Sequence, residues 1–199
     1  MHTEEDRRRR SIRLPEYDYA SPGGYFVTIC TAERACLLGT VEDGVFVPSR
    51  AGHIVAACWE EIPRHFSGVE TDEFVVMPNH LHGVLLVMDK SAITPLQGEA
   101  LAGHDGQLKD PDRASASPLQ IRRLAGTRSG SLGAIIQSFK AVSTRRVNQL
   151  GRTPGATLCQ RNYYEHIIRN ETSLDEIREY IRYNPMKWAD DEYNPAGKP

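Results

Sequence analysis

Two histidines stand one residue apart in Met77-Pro78-Asn79-His80-Leu81-His82-Gly83, at the mouth of the apolar run Val84-Leu85-Leu86-Val87-Met88. Such a run, entered through a Pro-Asn turn signal, reads as a buried strand. Strand side chains alternate between faces, which sends His80 and His82 to one side and Leu81 to the other. Two imidazoles on one face can bind a single divalent ion, although two ordinary polar residues at a strand end would make the same short pattern. A second pattern lies in Leu174-Asp175-Glu176-Ile177-Arg178-Glu179-Tyr180-Ile181-Arg182-Tyr183-Asn184-Pro185. Leu174, Ile177 and Ile181 fall at helical spacing and form a packing stripe. Glu176, Tyr180 and Asn184 follow one another by a helical turn on a different stripe. That stripe can bring a phenol and an oxygen ligand to one place. A tyrosine that packs its ring, with Asn184 as a helix cap, fits the same spacing.

These residues need elements to hold them. Gly24-Tyr25-Phe26-Val27-Thr28-Ile29-Cys30-Thr31 is β-branched and aromatic, a good first strand. Cys36 to Gly39 and Val45 to Val47 suggest short pairings around the Asp43-Gly44 turn. A helix opens at Pro48-Ser49, carries Ile54, Val55, Cys58, Trp59 and Ile62 on one face, and is expected to close at Pro63. Glu73 to Met77 is the next strand, and Pro78-Asn79 turns the chain into the strand with the histidines. Residues 91–130 lose all periodicity and are dominated by Ala, Gly, Ser, Pro and charge, the composition of a flexible insertion. Ser131 then opens a helix through Leu150. Its apolar face is Ile135, Ile136, Phe139, Val142 and Val147, and its basic face is Lys140, Arg145 and Arg146. Thr157 to Arg169 reads as a strand, and Thr172-Ser173 as the cap of the final helix. The order β-(β)-α-β-β-α-β-α predicts an α+β fold, a mostly antiparallel sheet with helices packed mainly on one face. The expected organisation is a basic arm over 1–22, a single domain over 23–188 interrupted by the 91–130 insertion, and a C-terminal tail over 189–199.

At 199 residues the chain can bury a substantial core. Its N-terminus has no apolar stretch behind its charges, so it does not read as a secretory signal, and no run is long enough for a membrane helix. The four cysteines show no C-x-x-C spacing and fall in predicted strands and helices, which favours reduced, packed thiols and a cytoplasmic setting. The net charge of −2 conceals a segregation. From Arg113 through Tyr164 the chain carries Arg113, Arg122, Arg123, Arg128, Lys140, Arg145, Arg146, Arg152 and Arg161 with no Asp or Glu. A second basic cluster, Arg7, Arg8, Arg9, Arg10 and Arg13, precedes the domain. Such segregation is the footprint of a polyanion, most simply a nucleic acid.

The chain as a whole resembles the HUH-type single-tyrosine transposases, particularly the REP-associated tyrosine transposases of bacteria. The resemblance covers roughly residues 11–90 and 131–188. It is carried by Ser11 to Tyr19 followed by Tyr25 to Cys30, by Met77-Pro78-Asn79-His80-Leu81-His82, by Phe139-Lys140, by Gln160 to Arg169, and by Tyr180-Ile181-Arg182-Tyr183-Asn184-Pro185. Five blocks in the right order are far more specific than any one of them. The resemblance implies a ferredoxin-like (RRM-like) sheet of the HUH endonuclease type. It implies a divalent-metal site in which His80 and His82 are joined by Asn184, and Tyr180 as the nucleophile. Cys159 departs from the pattern, standing where many relatives have Trp, and the insertion is unusually long.

Imidazole nitrogens with an amide or carboxylate oxygen suit Mg²⁺ or Mn²⁺. The activity this implies is cleavage and rejoining of single-stranded DNA at palindromic repeat hairpins through a 5′-phosphotyrosine, with no need for a nucleotide; consistently, no G-x-x-x-x-G-K-[ST] loop is present. Arg7, Arg8, Arg9, Arg10, Arg13, Lys140, Arg145 and Arg146 are the candidates for phosphate contacts. The DNA partner implies a cytoplasmic, nucleoid-associated protein, either monomer or homodimer. Tyr163, Tyr164 and Tyr183 are rival nucleophiles. His166, His53 and His65 read as packing or surface groups. Two other classes stay open: a hydrolytic metal nuclease that uses water in place of Tyr180, and a domesticated non-catalytic DNA-binding protein.

Overall fold

The computed structural model describes residues 17–19, 21–88 and 131–196. The arm with Arg7, Arg8, Arg9, Arg10 and Arg13, and the 91–130 insertion, lie outside these residues. The chain runs β1 (Gly23–Cys30), β2 (Gly39–Glu42), β3 (Val45–Pro48), α1 (Arg50–Glu60), α2 (Ile62–His65), β4 (Val69–Met77), β5 (His80–Val87), α3 (Leu132–Gly151), β6 (Tyr164–Ile168) and α4 (Glu171–Tyr183). Four of the strands form one antiparallel sheet in the order β4-β5-β1-β6, and β2 and β3 form a separate hairpin. Strand–helix–strand units β1-α1-β4 and β5-α3-β6 interleave in this sheet. This is the α+β arrangement that the element order predicts and the ferredoxin-like sheet that the resemblance implies. Among the described residues no helix is long and apolar enough to cross a membrane.

The alternation of β1 decides which residues go where. Tyr25, Val27 and Ile29 face α1 and α3, where Val55, Cys58, Trp59, Leu132, Ile135, Ile136 and Phe139 complete the main core. Phe26 and Val84 face the other way and are covered by α4 through Leu174 and Ile181. Two helices therefore share one face, and α4 lies on the second. Gly83 follows His82 directly on β5. The Trp59 indole lies on its backbone so tightly that a Cβ there would overlap the ring.

Four local expectations change. Pro63 does not end the first long helix. It sits in the opening turn of the short α2, where a missing N–H costs nothing. Asn170, not Thr172-Ser173, caps α4, its side chain accepting from the Ser173 N–H at 2.8 Å. The strand expected from Glu73 begins at Val69, and its ladder with β5 slips between Thr71 and Phe74, leaving Asp72 and Glu73 as a bulge. Of the strand expected over 157–169, only Tyr164–Ile168 forms, with one isolated bridge between Thr31 and Cys159. The Lys140 ammonium explains the gap: it donates to the carbonyls of Gln160, Arg161 and Asn162 at 2.9, 3.4 and 2.9 Å, which withdraws those acceptors from any ladder.

Candidate metal and tyrosine site

Pro78-Asn79 is the two-residue turn between β4 and β5, with Met77 paired to His80 across it. His80 and His82 then project from the same face of β5, ring centroids 4.5 Å apart, and both rings are buried. Leu81 points into the core on the opposite face. Burial holds both imidazoles far below the usual histidine range. His80 is lowered to about 2, with the charges of His82 and Arg34 adding to desolvation, and His82 to about 3 by desolvation. Both are therefore neutral at physiological pH, the form that binds metal.

The hydrogen bonds also fix which nitrogen is free. The Asn79 amide nitrogen donates to the carbonyls of Arg34 at 3.0 Å and Tyr193 at 2.7 Å, so its oxygen is the atom facing His80 Nδ1 at 2.9 Å. Nδ1 must then carry the proton, leaving a bare lone pair on Nε2. That Nε2 is buried without a hydrogen-bond partner. His82 Nδ1 meets the Thr28 hydroxyl at 2.8 Å, and its Nε2 lies 3.3 Å from the Tyr180 hydroxyl. Both partners of His82 are hydroxyls, which can donate or accept, so the two contacts orient the ring and fit either tautomer.

Into this space comes Asp191. Its Oδ2 is 4.0 Å from His80 Nε2, and its Oδ1 accepts the Tyr193 N–H at 2.7 Å, which orients the carboxylate. One ligand atom each from His80, His82 and Asp191 lies within 4.8 Å of the others. Two donors on an octahedral ion with bonds near 2.1 Å stand about 3 to 4.2 Å apart, so a slight contraction would accommodate Mg²⁺ or Mn²⁺. The fit has a second support in Asn184. It is buried at the end of α4, and its Oδ1 also has no hydrogen-bond partner. A buried acceptor with nothing to accept is what a bound cation would satisfy.

Tyr180 is the half-exposed member, 42% open to solvent. Its ring meets the edge of Phe26 at 6.0 Å, and Phe26 in turn stacks on His82 at 5.4 Å. Burial raises the phenol's pKa, Asp191 and Glu192 push it the same way, and the Asn184 side chain pulls it back. The phenol therefore keeps its proton at neutral pH.

The sequence reading named His80, His82, Tyr180 and Asn184; the Tyr180 hydroxyl lies beside His82, and the Asn184 side chain acts on the Tyr180 phenol. Asp191 was missed. Trp188, the last residue of the expected domain, and Tyr193, in the expected tail, pack over the site, 6.1 and 4.7 Å from the His80 ring, and Arg34 covers Tyr193 at 4.7 Å. Tyr193 was the available signal, since a large aromatic is unusual in a solvated tail. The rival tyrosines stand elsewhere. Tyr163 packs against the Lys140 amine, Tyr164 is exposed on β6, and Tyr183 borders a surface groove with Asp72, Arg178 and Arg182. Glu176, His166 and His53 are exposed and His65 is half-buried. Among the basic candidates, Lys140 is engaged by the 160–162 carbonyls, and Arg146 pairs with Glu61 at 2.8 Å. Arg145 is exposed beside Arg152 on a groove along α3.

The sheet and its two interleaved units form a ferredoxin-like fold in which the histidine pair faces a helix-borne tyrosine. The solved structure of a REP-associated tyrosine transposase bound to a REP hairpin has this fold, with a TM-score of 0.50 at 18% identity over 87% of this chain and 74% of that one. No protein-family profile matches the chain. It belongs to one family with a Haemophilus influenzae protein described only as uncharacterized, to which it is 37% identical over 187 residues, 92% of each chain.

Proposed function

We propose that this protein is a metal-dependent HUH transposase that cleaves and rejoins single-stranded DNA at palindromic repeat hairpins, with Tyr180 as nucleophile. The observation that carries the reading is the placement of the Tyr180 hydroxyl 3.3 Å from His82, beside two buried acceptors, His80 Nε2 and Asn184 Oδ1, that lack partners. His80, His82 and Asp191 would hold a divalent ion, with Asn184 beside them. When bound, that ion supplies positive charge to the non-bridging oxygens of a scissile phosphate.

The chain's own residues do the rest. Asn79 holds the His80 imidazole with Nδ1 protonated, and Thr28 orients the His82 ring. Trp188 and Tyr193 keep water from the histidines, which strengthens every charge interaction there. The Tyr180 oxygen attacks phosphorus and loses its proton as the new O–P bond forms; the bond to the 3′ oxygen breaks, and that oxygen takes up a proton. The product is a 5′-phosphotyrosine and a free 3′-hydroxyl. One phosphodiester replaces another of similar energy, so rejoining runs the same steps backwards. Fixing the phenol against the bound phosphate offsets the poor nucleophilicity of a protonated tyrosine. A hairpin-bound neighbour of the same fold and the acid-free stretch from Arg113 to Tyr164 support DNA as the partner, and with it a cytoplasmic location.

The test is a denaturing gel of the purified protein with labelled single-stranded hairpin DNA from the host's repeats, in Mn²⁺ or EDTA. A covalent protein–DNA band that needs metal is expected, reduced about 10³-fold or more by Tyr180→Phe and by His80→Ala. Cleavage without the band, retained by Tyr180→Phe, would make the protein a hydrolytic nuclease.

A further inference from the structure

The helix that carries Tyr180 packs on its face of the sheet through Leu174 and Ile181 against Phe26 and Val84, with the partly buried Val75, Leu86, Ile168 and Ile177 around them. Charge adds a second grip on the helix. Arg178 makes a two-pronged contact with Asp72, Nε to Oδ1 at 2.9 Å and one terminal nitrogen to Oδ2 at 2.6 Å. The same guanidinium bonds Asp175 at 3.0 Å, and Arg182, one turn on, bonds Glu73 through Nε at 2.9 Å. The Asp72 carboxylate also accepts the Glu73 N–H at 2.6 Å, which fixes its own direction.

Asp72 and Glu73 are the two bulge residues of β4. In a regular strand, neighbouring side chains point to opposite faces. The bulge lets both turn toward α4, and re-aiming side chains is what such irregularities do beside functional sites. Arg178 and Tyr180 are two residues apart, about 200° around the helix, so the grip acts on the side away from the phenol. A roll of about 20° would carry a phenol oxygen about 9 Å from the helix axis through about 3 Å. That distance separates a hydroxyl in line with a phosphate from one that cannot reach it.

We infer that Asp72 and Glu73, through Arg178 and Arg182, are positioning residues that set the roll of α4 and so aim the Tyr180 hydroxyl at the site. This rests on the tyrosine reading above. Isolated surface ion pairs add little stability, and the role assigned here is geometric. Arg178 suits it, since a planar fork fixes direction where a single ammonium would not.

The experiment compares Asp72→Asn, Arg178→Met and the double variant with wild type in two assays. The first measures adduct formation and DNA affinity. The second records the ¹⁹F NMR signal of 3-fluorotyrosine placed at position 180, which senses the nearby His82 and Phe26 rings and needs no DNA, metal or activity. Each single variant is expected to lose about 10- to 100-fold in the rate of adduct formation at unchanged DNA affinity and melting temperature, and to shift or broaden the fluorine signal. The double variant should be no slower than the worse single one, because the two side chains act as one contact. Arg178→Lys should keep part of the rate. A fluorine signal identical to wild type in both single variants overturns the inference whatever the adduct assay gives. A wild type that forms no adduct defeats the transposase reading, and a shifted fluorine signal would still support the clasp.

Discussion

On the α1/α3 face of the sheet, Tyr25, Val27, Ile29, Leu81 and Leu85 meet Trp59, Ile135, Ile136 and Phe139 in one continuous apolar core. On the α4 face, a few apolar side chains adjoin buried His80, His82 and Asn184, unsatisfied acceptors, and ion pairs that bind the helix to a bulged strand. The first face is dominated by close-packed apolar side chains, with the Trp59 indole N–H as a buried group that has no hydrogen-bond partner. The second leaves demands unmet at the place where a cation and a phosphate would meet them. Stability and chemistry are thus divided between the two sides of a sheet one residue thick.

The division can be broken from the core side first. Trp59→Ala removes the largest buried ring and is expected to cost about 3–5 kcal/mol in a denaturant melt, while the rate per folded molecule changes little. Gly83→Ala tests a core position next in sequence to the metal face. Its Cβ would enter the space of the Trp59 indole, and overpacking of this kind costs about 1–3 kcal/mol. Because Gly83 follows His82 directly, this variant should also weaken Mn²⁺ binding measured by EPR, joining two properties that Trp59→Ala keeps apart. If Gly83→Ala leaves metal binding untouched, the faces are more independent than described here.

The metal face carries its own pH signature. Both histidines are held neutral in the fold, with pKa values near 2 and 3, below an unfolded value of about 6.5. Above pH 6.5 they are neutral in both states and have no effect. As pH falls below 6.5 the unfolded chain takes up protons that the folded one refuses, and stability declines by up to ~1.4 kcal/mol per pH unit for each histidine. Thermal melts of metal-free protein between pH 7 and 4.5 should show this decline, and His80→Gln should remove about half of it.

The same division governs what could be read from the sequence. Periodicity reports burial, so the strands and the long helices with regular apolar stripes were legible, as was the alternation that puts His80 and His82 together. The β4 bulge was not, because Asp72 and Glu73 look like any exposed pair until their partners on α4 are known. Lys140 reads as a basic surface group, yet its amine is turned inward onto three carbonyls. Asp191 lies beyond the last helix in an acidic stretch without period, and only the packing of Trp188 and Tyr193 brings it to the histidines.

The most direct measurement is tandem mass spectrometry of the trapped protein–DNA adduct after nuclease and trypsin. Cleavage after Arg178 and Arg182 isolates Glu179–Arg182, in which Tyr180 is the sole tyrosine, and places Tyr183 in a separate peptide ending at Lys187. The account predicts a residual nucleotide linked through phosphate to Tyr180 in the first peptide. A nucleotide on the Tyr183 peptide, or on the one holding Tyr163 and Tyr164, would contradict it.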